Sequence, residues 1–157
     1  MPKYEAALEK VFHDILSKYA MMFGEPVAGA AFKYNPEKIY IRSDVGFTGE
    51  CGGTMSIITT KDFCSALVSN VMGLEPGKDN KIEAEYDVIK EFINLTCGHF
   101  VTEAFGKKVT ADLTPPSAEI IDKEGWEIMV KQAEIKFVVD EMPVAVAVDV
   151  KNCTGRK

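Results

Sequence analysis

Asp87, Glu91, Asn94 and Gly98 follow one another at spacings of four, three and four within "DVIKEFINLTCGHF", residues 87–100. At about 100° per residue they share a band about 60° wide on one side of a helix. Ile89, Phe92, Ile93, Thr96 and Phe100 centre on the opposite side, so burying them turns the polar line toward solvent. A solvated helix face is the bland account of such a line. Against it, Asn and Gly are poor helix formers, costing several tenths to ~1 kcal/mol each relative to Ala at exposed positions. Gly98 also removes side-chain bulk one turn from Asn94, which lets another molecule approach closely.

The chemistry on offer is modest. Glu91 can pair with a cation, and the Asn94 carboxamide can both donate to and accept from a water. Neither is a strong nucleophile, and no Ser or Cys stands with a neighbouring His as an activated pair. Such a set suits orienting a water onto a group that is already reactive. Cys97 and His99 carry no assigned role, and His99 is placed at the buried margin of the helix. Asp87 contributes charge near the helix start.

The elements that must hold this line follow from periodicity and punctuation. Tyr4, Leu8, Val11, Phe12, Ile15, Leu16 and Tyr19 mark a first amphipathic helix over residues 3–23, ended by Gly24 and Pro26. "VAGAAFKYN", "KIYIRSDVGF" and "GGTMSIITT" read as strands, joined at "NPEK" and at the glycine-rich "TGECGG". A second helix spans Lys61 to Met72, with Thr60 as N-cap and Gly73 just past its end. "GLEPGKDNK" is the following loop, without the glycine spacing or preceding strand of a phosphate-binding loop. The third helix covers about residues 80–105 and ends at Gly106.

Beyond it, "KKVTADLT", "PSAEII", "EIMVKQAEIKFVVD" and "VAVAVDV" read as strands, with "DEMP" as a hairpin turn. The order predicts an α+β fold, with long amphipathic helices packed on one face of a largely antiparallel sheet. Each half opens with a long helix and continues into strands, and no linker divides them, so residues 1–157 are read as a single domain.

Composition narrows the function. With 46% hydrophobic residues, the chain has enough apolar surface for a core, and no run reaches the ~20 apolar residues of a membrane span. The charged, amphipathic start lacks a signal peptide's apolar segment, so a cytoplasmic location is expected, and the "NLT" and "NCT" triplets carry no meaning as sequons. The formal charge is −6, with no basic stripe, which disfavours nucleic acid as a partner. Cys51, Cys64, Cys97 and Cys153 are irregularly spaced and read as buried thiols, not as a disulfide frame. With only His13 and His99 to add, no metal site is expected.

The run Asp87, Glu91, Asn94, Gly98, followed some twenty residues on by "LTPPSAEI", resembles the CheC/CheX/FliY family of chemotaxis phosphatases, and its CheX branch most. The similarity extends to the opening helix, to "FTGECGGTMSII" as the family's glycine-bearing hairpin, to the helix at Lys61 to Met72 and to the terminal strands. Pro116 lies about one residue nearer the motif than the family pattern. The resemblance implies a CheC-like fold and dephosphorylation of a phosphorylated CheY-like response regulator in chemotaxis signalling. In that role Asn94 orients the attacking water, Glu91 pairs with a regulator lysine, and Asp87 and Gly98 contribute to partner binding. No cofactor is implied in this chain, because the Mg2+ belongs to the regulator. One motif per chain fits the CheX branch, since Glu9 on the first helix is followed three residues later by Phe12. The resemblance also implies a homodimer with sheets joined across the interface, for which "VAVAVDV" on an exposed edge is the expected element. The alternative reading is a non-catalytic homodimeric module that binds a response regulator or flagellar switch partner.

Overall fold

Thr60 and Gly73 bracket the second helix as their chemistry predicts: the Thr60 hydroxyl accepts from the Phe63 N–H, and Gly73 takes the left-handed conformation at φ 71°. This detail comes from a computed structural model that describes residues 3–27, 32–73 and 82–153. The elements in order are α1 (Glu5–Ala20), β1 (Gly24–Pro26), β2 (Tyr40–Gly49), β3 (Cys51–Thr60), α2 (Lys61–Met72), α3 (Ile82–Phe105), β4 (Ala111–Leu113), β5 (Ser117–Ile121), α4 (Lys123–Gln132), β6 (Ile135–Val139) and β7 (Met142–Cys153). The loop expected at "GLEPGKDNK" falls, after Gly73, outside the described residues.

The strands form one antiparallel sheet in the order β1-β6-β7-β3-β2-β4, with β5 also pairing to β2. The glycine-rich β2–β3 corner has two local causes. Gly49 sits at φ 142°, and a Cβ on Gly53 would collide with the Asp149 carbonyl oxygen of β7 beside a bulge at Gly52/Gly53. The β6–β7 turn places Asp140 and Glu141 at φ 49° and 65°, the double left-handed geometry that suits a two-residue hairpin.

Alternation along the strands divides the core into two sides. Ile41, Met55, Ile57, Val144, Val146 and Phe137 pack with the buried faces of α1, α2 and α3. Tyr40, Ile58 and Ala145 point the other way, onto Trp126 and Met129 of α4. Fully burying each such side chain contributes roughly 1.5–3 kcal/mol, so both faces of the central strands matter to stability.

Four expectations need correction. The stretch "EIMVKQAEIKFVVD" is not one strand: its first part belongs to α4, capped by Asp122 accepting from the Gly125 N–H at 2.9 Å, and only Ile135–Val139 is strand. That helix lies on the sheet face opposite the other three, so the helices do not share one face. Of the strand expected over "VAGAAFKYN", residues 28–31 lie outside the described residues, and Val27 and 32–35 are outside any strand, with β1 lying earlier. Finally, β7, which carries "VAVAVDV", is flanked by both β6 and β3 over Val144–Val146, so only its continuation from Ala147 has no strand on the β6 side among the described residues.

The cysteines also depart from expectation. Sheet register sets Cys51 of β3 opposite Cys153 of β7, and the two are joined as a disulfide with Cα atoms 4.0 Å apart. No local spacing could signal a pair 102 residues apart in sequence. Cys64 and Cys97 are free and buried.

Candidate active surface on helix α3

The buried side of α3 is Glu85, Val88, Ile89, Phe92, Ile93, Thr96, Cys97, Phe100 and Val101, which rotates the polar line outward. Asp87 and Glu91 are exposed, and Asn94 and Gly98 are half-buried along the same face. The helix is fixed on both flanks. Phe92 meets Phe12 of α1 edge-on at 5.7 Å and Phe63 of α2 at 6.1 Å between ring centroids.

At Asn94 the side-chain Oδ1 is buried and lacks a hydrogen-bond partner. Such an acceptor costs roughly 1–3 kcal/mol and is most readily retained where a site uses it. Gly98 is open: a Cβ built there meets nothing within 4 Å. Close packing inside the molecule therefore does not explain the glycine. Gly98→Ala is expected to raise stability by about 0.4–1 kcal/mol, because the helical backbone accepts Ala without strain. A denaturant midpoint unchanged or lowered would show that the backbone needs glycine there.

Helix α1 runs antiparallel beside α3, since Tyr4 contacts Phe100 and Phe105, Lys10 pairs with Glu103, and Tyr19 reaches Phe92. Burial raises the pKa of the Tyr19 phenol, and the neighbouring Glu91 charge adds to the effect. Glu91 therefore lies near the partly buried Tyr19 phenol of α1. His99 is exposed and lines a groove on that seam, which corrects its expected place at the buried margin.

Covalent chemistry has no nucleophile to start from at this surface. Burial pushes the Cys97 thiol up to about 12, and burial followed by the Glu85 charge pushes Cys64 up as well. Both are expected to stay unmodified when the native protein meets iodoacetamide at neutral pH, and to react after unfolding; labelling of native Cys97 read by peptide mass would refute this.

One functional support was invisible to sequence reasoning. Glu85, fully buried, accepts a hydrogen bond from Lys61 Nζ at 3.0 Å, tying the first turns of α3 to the start of α2. The Lys61 N–H in turn donates to the Ile39 carbonyl at 2.8 Å, so the tie reaches the sheet. On the helical wheel Glu85 lies about 200° from Asp87, on the far side from the polar line. The signal was a charge at a buried-face position.

Among the described residues, no three His, Cys, Asp or Glu side chains converge as a metal-ligand group, and no helix is long and apolar enough to cross a membrane. Of the line, only Gly98 borders a groove, and that groove is open, which suits a macromolecular target better than a small metabolite.

Comparison with solved structures places this geometry. The chain resembles a chemotaxis protein CheX from Desulfovibrio desulfuricans at a TM-score of 0.68 and 18% identity, covering 95% of this chain and 99% of that one. It resembles a chain of the Borrelia burgdorferi CheX–CheY–BeF3–Mg2+ complex at 0.67 and 19%, covering 97% of this chain and 100% of that one. A CheC-like superfamily protein from a Shewanella species follows at 0.64 and 15%, covering 95% and 97%. No curated protein matches the chain. The architecture is therefore the α+β fold of CheX and CheC-like proteins. The family model described as "Chemotaxis phosphatase CheX" matches residues 42–140, which include all of α3. The chain belongs to the chemotaxis phosphatase CheX family.

Proposed function

We propose that the outward line of α3 is the surface through which this family member removes the phosphoryl group from an aspartate of a CheY-like response regulator. The observation that carries the reading is Asn94, an amide set beside the open Gly98 on a solvent-facing helix with Glu91 one turn away. In the reaction, water oxygen bonds to phosphorus as the bond from phosphorus to the aspartyl oxygen breaks. Phosphate leaves, and the regulator keeps its carboxylate. Asn94 holds the water in line, and Glu91 pairs with a regulator lysine and fixes the docked pose. The Mg2+ of the reaction is held by the regulator. An acyl phosphate is intrinsically labile, so positioning and electrostatics suffice as the contribution of this chain.

The test is decay of a phosphorylated CheY-like regulator in the presence of this protein. A shortened lifetime supports the phosphatase; binding that leaves the lifetime unchanged would favour the non-catalytic module instead. Cytoplasmic residence follows from the partner. A homodimer remains the expected assembly: β1 is an edge of the sheet with Phe23 beside it 71% exposed, and β7 from Ala147 on is paired only to β3. Sedimentation showing only a monomer at micromolar concentration would reject it.

A further inference from the structure

The α1–α3 seam continues the polar line of α3 into an open groove of about 410 Å³ lined by Lys10, Val11, Asp14, Gly98, His99, Thr102 and Glu103. Its depth comes from Gly98, where no side chain intrudes, and from Val11, which is 5% exposed and forms an apolar floor. The Asp14 carboxylate has no hydrogen-bond or ion-pair partner among the described residues; the Ser17 hydroxyl donates at 3.2 Å to its backbone carbonyl, not to its side chain. On the same groove Lys10 Nζ meets Glu103 at 3.2 Å, with side chains 62% and 37% exposed. A pair so exposed contributes about 0–1 kcal/mol, so Glu103 can exchange Lys10 for another cation at little cost.

We propose that this groove is a specificity pocket for the response regulator, taking one of its surface Lys or Arg side chains: the alkyl stem lies over Val11 and Gly98, and the cationic head meets Asp14 and Glu103. The groove adjoins the Asn94 line through Gly98 itself, so a regulator docked on that line covers it. Charge selects the occupant. Asp14 and Glu103 give the groove two carboxylates against Lys10, and a long side chain with a cationic end fills a channel with an apolar floor and acidic rim. The proposal rests on the phosphatase reading of α3 and adds α1 to the docking surface.

The test is steady-state dephosphorylation of the phosphorylated regulator, with the dissociation constant of its unphosphorylated form read by anisotropy. Asp14→Lys and the groove-filling Thr102→Trp are expected to raise KM and the dissociation constant at least tenfold, with kcat within twofold. Asp14→Asn should fall between, Asp14→Glu should restore binding, and Lys131→Glu on the opposite face should change nothing. The salt dependence of KM should weaken in Asp14→Asn. Wild-type KM and binding in both Asp14→Lys and Thr102→Trp would overturn the proposal while leaving the phosphatase reading intact, and so would loss of kcat with unchanged KM. A wild type that binds without hydrolysing defeats the phosphatase reading alone, because the same order of dissociation constants still tests the groove. A wild type that neither binds nor hydrolyses defeats both.

Discussion

Asn94→Ala is expected to lose the acceleration of regulator dephosphorylation by about a hundredfold or more, while folding as well as the parent. A hundredfold loss is about 2.7 kcal/mol in the barrier, the scale associated with removing one aligned polar group from a reacting centre. The variant isolates function from fold for two reasons. Asn94 makes no hydrogen bond through its buried Oδ1, so truncation breaks no internal contact there. Ala is also the better helix former, so stability should be equal or slightly higher. Glu91→Ala should behave differently, weakening the complex about tenfold by loss of an ion pair, with the larger change in KM. If Asn94→Ala hydrolyses within twofold of the parent, the amide does not position the water, whatever the activity of the protein.

Lys61→Ala should destabilise the protein by about 3–5 kcal/mol, because it strands the Glu85 carboxylate in an interior position that is 0% exposed. The two halves of the pair are not equivalent. Lys61 is 34% exposed, so its ammonium can reach water when Glu85 is removed, and Glu85→Gln should cost less than Lys61→Ala. Replacing both, as Lys61→Met with Glu85→Leu, should restore stability to near or above the parent, since well-packed apolar pairs offset lost buried ion pairs. Chemical denaturation of the four proteins checks the order. Equal stability of Lys61→Ala and the parent would mean the pair contributes nothing to holding α3.

The line on α3 was legible because helical period alone decides which of Asp87, Glu91, Asn94 and Gly98 share a face, and the four apolar neighbours Ile89, Phe92, Ile93 and Phe100 decide which face is buried. The ends of α2 were legible for a similar reason: Thr60 and Gly73 act through local backbone chemistry. What escaped depends on contacts distant in sequence. Helix α4 carries β-branched and apolar residues that resemble a strand, and only two of them, Trp126 and Met129, are buried against the second sheet face. The interior place of β7 and the Cys51–Cys153 bridge follow from strand order, which a linear pattern does not contain. Glu85 was passed over because charge was equated with exposure, and Asp14 because a groove between two helices belongs to neither sequence alone.

The most direct measurement is phosphate release from an excess of phosphorylated CheY-like regulator, with this protein present in substoichiometric amount. The account predicts many phosphates released per molecule, at a rate proportional to its concentration and lost in Asn94→Ala. A rate equal to the regulator's own spontaneous decay, in the presence of demonstrable binding, would contradict it.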